Sequence, residues 1–154
     1  MIDKFDGEYR FLSNFWPSLI VLHGRDYATV EHYFQAMKAC NNDDHERIRL
    51  AGSPGESKRL GRQIDIREYW NFVRVAIMRE ALLKKFQIPE LRDKLITTGA
   101  ELLIEGNVWH DNFWGDCSCP RCLNKRGQNL LGTLLMSIRA EIILEGMRLE
   151  RRHA

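Results

Sequence analysis

No apolar run in this chain approaches the roughly 20 consecutive residues of a membrane span, so a helical membrane protein is excluded. The N-terminus, Met1-Ile2-Asp3-Lys4-Phe5-Asp6, lacks the apolar core of a secretory signal, and a cytoplasmic location is expected. Charge of one sign is also scarce. Twenty-three basic residues face 21 acidic ones, for a formal net charge of +2. A general nucleic-acid binder needs more, although a local basic patch would not register in that balance. Cysteine is limited to four residues, which read as reduced thiols or metal ligands rather than disulfides. Repeats, linkers and low-complexity segments are absent. With 154 residues, 44% hydrophobic and 29% charged, the composition argues for one globular domain over residues 1–154.

What is present organises into a helix-rich α+β chain with a small N-terminal β-sheet. The first 28 residues read as short strands and turns. Tyr9 to Phe15 carries aromatics, Leu19 to Leu22 is a short apolar run, and Pro17 and His23-Gly24 punctuate them. Val30, Tyr33, Phe34 and Met37 follow helical spacing, predicting a helix from Val30 to about Cys40 with Thr29 as N-cap. Asn41 to Asp44 breaks it, and a short helix covers His45 to Leu50. Ser53-Pro54-Gly55-Glu56 starts another helix as a capping box, ending near Gly61. Glu68 to Phe86 reads as a long central helix, apolar over a wide arc and mostly buried. Pro89 opens a helix that Gly99 closes. Glu101 to Glu105 is expected as a strand that adds to the sheet, and a last helix runs from Asn129 to about Glu145.

The densest chemistry lies at residues 107–115, Asn-Val-Trp-His-Asp-Asn-Phe-Trp-Gly. Two indoles offer faces for stacking on a flat base, and fixed polar groups offer orientation. The stretch lacks strand or helix periodicity and reads as an ordered loop after a short strand. Asp111 lies between Trp109 and Trp114, a setting that suits a desolvated carboxylate, although loop aspartates also build turns. His110 reads as a packing or hydrogen-bonding residue. Glu31-His32 falls in the first turn of the Val30 helix. There the helix end would hold Glu31 ionised, either as a simple cap charge or to stabilise an oxocarbenium-like ribose carbon. Lys58, Arg59 and Arg62 follow the Ser53 start. Lys58 reads as a solvated lysine or an amine nucleophile, and the arginines as phosphate contacts. Cys117, Cys119 and Cys122 have the C-x-C-x-x-C spacing that suits zinc, with Cys40 or His110 as the fourth ligand needed to close the site.

Five blocks resemble one family. They are residues 9–15 (Tyr-Arg-Phe-Leu-Ser-Asn-Phe), 29–36 (Thr-Val-Glu-His-Tyr-Phe-Gln-Ala), 60–62 (Leu-Gly-Arg), 114–116 (Trp-Gly-Asp) and 127–132 (Gly-Gln-Asn-Leu-Leu-Gly). Together, from about Phe5 to Ile142, the chain is similar to the NADAR, or YbiA-like, family. The resemblance implies a helix-rich α+β fold and N-glycosidase activity. Some members hydrolyse phosphoribosylamino-pyrimidine intermediates of riboflavin synthesis, and others remove ADP-ribose from guanine bases. The motif glutamate falls on Glu31 and the motif aspartate on Asp111. The lysine of the ADP-ribose-removing branch falls on Lys58, which favours ADP-ribosyl substrates, including ADP-ribosylated DNA. On this reading Trp109 and Trp114 wall the pocket with Phe15, His32 and Gly115. Asn14 and Asn129 bind ribose or phosphate, and Arg62 binds phosphate. No cofactor is required, no membrane partner is expected, and no oligomeric state is implied. The Cys117–Cys122 loop departs from the shorter glycine-rich loop of some relatives. Two rival readings are a module that binds ADP-ribose without cleaving it and a zinc-containing interaction protein.

Overall fold

A computed structural model describes residues 1–153, and it is α+β and helix-rich. It divides into two compact units, Asn14–Ile88 and Met1–Ser13 with Pro89–Ala154.

In the first unit, strands β1 (Ile20–Leu22) and β2 (Arg25–Tyr27) form an antiparallel hairpin pairing Ile20 with Tyr27. His23 and Gly24 both have positive φ, 52° and 75°, the geometry whose twist suits a two-residue hairpin turn. Helix α1 (Val30–Ala36) follows, and all seven of its residues are buried. It packs against α2 (Asn42–Arg49), α3 (Pro54–Gly61) and α4 (Trp70–Lys85). Tyr27 and Tyr33 meet edge to face at 4.9 Å, and Phe34 leans on Trp70 at 5.1 Å. α1 is thus the central element, and its polar residues are held inside the unit.

Two expected boundaries move. α1 ends at Ala36 because Ala39 turns away to bridge Ile66, and the Arg67 N–H bonds the Lys38 carbonyl at 2.9 Å. That distant pairing replaces further helical bonds. Asn41 starts α2 instead of breaking the chain. Its side chain accepts from the Asp44 N–H at 2.8 Å, and Asp43 and Asp44 suit the helix N-terminus.

In the second unit, Gly7–Leu12 is a 3-10 helix where strand-like aromatics were expected. The alternation over Tyr9 to Phe15 is too imperfect to exclude three-residue turns, and Phe11 and Leu12 are its buried members. Helix α5 (Pro89–Thr97) ends before Gly99, whose φ is +58°. The 101–105 segment is not a strand of the hairpin sheet. Only Leu103 bridges Ile2, and the Glu105 N–H goes to the Asn129 side chain at 3.0 Å. Strands β3 (Gly106–Asn107) and β4 (Asp116–Cys117) pair in parallel. Helix α6 (Leu130–His153) continues well past Glu145. Arg139 ties it to the end of α5, donating to Thr98 Oγ1 at 2.7 Å and to the Glu101 carbonyl at 2.8 Å. No described helix is long and apolar enough to cross a membrane.

Candidate active site

The start of α1 is fixed by a short network. Thr29 Oγ1 accepts from the His32 N–H at 3.2 Å and pairs with His32 Nδ1 at 2.8 Å. On the far side of the ring, Nε2 lies 3.0 Å from the Ala51 carbonyl, which can only accept. In its neutral form the ring therefore carries its proton on Nε2, and the threonine hydroxyl donates to Nδ1. Both nitrogens of His32 are used inside the fold, so His32 holds α1 and offers no ring nitrogen to a ligand. The Glu31 N–H donates to the Asn14 carbonyl at 3.1 Å, which anchors the residue from the other direction.

Glu31 is 6% exposed, and Gln35 Nε2, one turn along the same helix, donates to its Oε1 at 2.7 Å. Burial raises the Glu31 carboxyl above its ordinary range, while Gln35 and the charges of Lys58 and Lys38 pull the other way. The sequence suggested the opposite direction, an ionised carboxylate held low by the helix end. A seven-residue helix cannot offset removal of the carboxylate from water.

Lys58 is half-buried, its ammonium 5.8 Å from the centre of the Phe15 ring. Lys38 lies over Phe34 and Trp70, at 5.5 and 5.9 Å. Burial lowers its pKa, Glu31 raises it, and Lys58, Arg62 and Arg74 lower it. Glu31 thus feels the charges of Lys38 and Lys58, and Lys38 in turn feels those of Arg62 and Arg74. Asn14 Oδ1, Gln35 Oε1 and Ser57 Oγ are buried without a hydrogen-bond partner among the described residues. Asn14 spends its donor on Met78 Sδ at 3.4 Å, a weak acceptor. Gly61 leaves room for Gln35, since a Cβ at position 61 would fall 2.1 Å from Gln35 Oε1.

Gln35 and Lys38 were missed in the sequence. The signal was available: Gln35 stands one turn after Glu31, and Lys38 follows three residues later, beyond the end of α1.

The tryptophan loop is built by side chains bonding main chain. Asn107, buried, donates to the Asp111 carbonyl at 2.7 Å and accepts from the Asp111 N–H at 3.1 Å. Asp111 Oδ1 accepts from Phe113 and Trp114 N–H groups at 3.0 and 2.9 Å. This is the turn-building use of an aspartate, and it fixes one carboxylate oxygen. Trp114 stands edge to face on Phe113 at 4.9 Å, whereas Trp109 is 61% exposed. A Cβ on Gly115 would meet the Glu105 carbonyl at 2.2 Å, so close chain packing explains that glycine. The Asn129 amide donates to the Leu103 carbonyl at 2.9 Å as well as accepting from Glu105. Asn129 also borders a cleft of about 290 Å³ with Asp116, Arg126 and Thr133.

Behind the loop, His110 joins Cys117, Cys119 and Cys122, with ligand atoms all within 4.8 Å of one another. Of the two expected fourth members, His110 is the one present. Cys40 is exposed and donates to the Asp65 carbonyl at 3.3 Å. The bond to His110 lowers the Cys119 thiol, and burial raises that of Cys122.

The NADAR domain sequence model matches residues 2–143, running through both units. An N-glycosidase of Nostoc punctiforme, Npun_R5314, is 44% identical over 140 residues, covering 87% of this chain and 86% of its own. The N-glycosidase YbiA of Escherichia coli is 38% identical over 143 residues, covering 90% and 84%. The NMR structure of E. coli YbiA superposes with a TM-score of 0.81 at 35% identity, covering 96% of this chain and 89% of that one. A longer maize protein, the chloroplastic riboflavin biosynthesis protein PYRR, is 35% identical over 149 residues, covering 85% of this chain and 23% of its own length. On this family match and these identities, the chain belongs to the NADAR domain family.

Proposed function

We propose that this hydrolase of N-glycosyl bonds removes ADP-ribose from a modified base, guanine, in nucleic acid, working as a single domain. The observation that carries the reading is Glu31, an acid buried on α1, bonded to Gln35 and surrounded by the charges of Lys38 and Lys58. Breaking a ribose C1–N bond sends its electron pair to nitrogen and leaves positive charge on the ring, which a fixed carboxylate stabilises. A carboxylate whose pKa burial has raised is also a stronger base toward the attacking water.

Lys58 gives up its ammonium proton to the departing base and attacks C1 as the C1–N bond breaks, or traps the opened sugar as an imine, and water later releases the sugar. The departing base takes up a proton, so the net reaction consumes one water. Lys38, Arg62 and Arg74 set several cations near one another, a better match to a diphosphate than to a single phosphate. That favours ADP-ribose. Asn14 Oδ1 accepts from a ribose hydroxyl, and Phe15 packs on the sugar. On the tryptophan loop, Asp111 positions a hydroxyl or shuttles a proton, and Trp109 and Trp114 stack on the base. His32, Gly115 and Asn129 act through the backbone they hold. The reaction draws on no cofactor.

A second reading, hydrolysis of phosphoribosylamino-pyrimidines, is supported by the name of the maize relative. Offering purified protein both ADP-ribosylated guanine DNA and a phosphoribosylamino-pyrimidine, with the released sugar identified by mass spectrometry, separates the two. Free ADP-ribose is the expected product. Ribose 5-phosphate alone would establish the second reading in its place.

A further inference from the structure

We infer that His110, Cys117, Cys119 and Cys122 form a closed, four-ligand structural zinc site that fastens the tryptophan loop. Three thiols and an imidazole are the donor set of structural zinc, and their ligand atoms lie within 4.8 Å of one another. Tetrahedral zinc with Zn–S near 2.3 Å sets its ligand atoms roughly 3.8 Å apart, so the cluster closes on the ion with small side-chain movements. The three cysteines are buried. They sit too near one another to carry charge together without a cation.

The surroundings are arranged as they are around bound thiolates. The His110 N–H points to Cys117 Sγ at 3.2 Å, the Cys119 N–H to the same sulfur at 3.4 Å, and Asn112 Nδ2 to Cys122 Sγ at 3.1 Å. Donors aimed at sulfur orient ligands and stabilise their charged form. His110 itself adopts φ 71°, a conformation disfavoured for a residue with a Cβ. In return its Nδ1 lies 3.0 Å from Cys122 Sγ and 3.6 Å from Cys119 Sγ. Strain that brings the imidazole to two sulfurs and the backbone N–H of the same residue to the third is explained by a ligand that all four residues share.

The site has no open position and so supplies structure, not chemistry. Its reach is nonetheless specific. Asn112, which bonds Cys122, also accepts from the Cys117 N–H at 2.9 Å, and its carbonyl accepts from Gln128 at 2.8 Å. Zinc therefore ties His110 to Cys117, Cys119 and Cys122, the bonds of Asn112 carry the frame on to Gln128, and Asp111 sits between these fixed neighbours.

The test is metal analysis of protein purified without an affinity tag, with cobalt substitution as a second readout. About one zinc per chain is expected, and cobalt should give the intense ligand-field and thiolate charge-transfer bands of a tetrahedral sulfur-rich site. C119S should lose most of the metal. H110C, which keeps four ligands, should retain it and guards against a variant that merely misfolds. Less than about 0.1 zinc per chain, together with no tetrahedral cobalt spectrum, overturns the assignment. Neither readout depends on glycosidase activity.

Discussion

Gln35 Nε2 donates to Glu31 Oε1 at 2.7 Å across one turn of α1, joining two buried residues of that helix. Glu31 is the candidate acid, and Gln35 is a positioning residue that holds one of its oxygens and favours its ionised form. Removing that donor with Gln35→Leu should shift the acid limb of the kcat–pH profile upward. A merely structural role would reduce kcat evenly, without moving the limb.

Glu31→Gln should lower turnover by about 10²–10⁴-fold, the usual range for loss of an acid–base group. Stability should move the other way. Because the folded carboxyl pKa is raised, the folded state holds more protons than the unfolded state just above the ordinary carboxylate range. Stability therefore falls as pH rises through that window and stays at the lower level beyond it. The glutamine variant should lose this fall and be at least as stable as the wild type at pH 8, as read by urea unfolding at pH 5 and 8. A less stable variant at pH 8 would contradict the buried-acid assignment.

Gly61→Ala places a Cβ 2.1 Å from Gln35 Oε1, so Gln35 has to leave its bond to Glu31. Overpacking of this kind costs roughly 1–3 kcal/mol. In the double variant with Gln35→Ala the added cost of Gly61→Ala should largely vanish, a coupling that thermal or urea unfolding of all four proteins measures.

Lys85 is fully buried on α4, and burial lowers its pKa to about 7. Below that value both states carry the proton and stability is flat with respect to this group. Between about 7 and the ordinary lysine value the unfolded chain binds more protons, so stability rises with pH. The slope approaches about 1.4 kcal/mol per pH unit at most. Lys85→Met should be the more stable protein near pH 6 and should lack the rise between pH 7 and 9. Parallel pH profiles of the two proteins would refute this.

The starts of α1 and α3 were legible because their caps act within four residues. Thr29 caps α1 as read, and Ser53 accepts from the Glu56 N–H at 3.1 Å to begin α3. The return bond of Glu56 goes to the Gly52 N–H at 2.7 Å, one residue earlier than a capping box would have it. Ends and strands were less legible, because Ala39–Ile66 and Ile2–Leu103 pair residues far apart in sequence. At the site, Glu31 stood out by residue type, whereas the direction of its pKa shift depends on the packing around α1. His110 and Cys40 could both be read as fourth members of the cysteine cluster, and only the distances in the fold single out His110.

The parallel pairing of Gly106 with Asp116 has a further consequence. Parallel neighbours ordinarily need a crossover of a dozen or more residues, and here residues 108–115 alone make the return. Eight residues could span that short return with slack, so their path is set by the bonds of Asn107 and Asp111 to the loop's own main chain. A deletion between Asn107 and Trp114 removes or displaces one of those partners and moves the indoles, whatever the length of chain left to make the return.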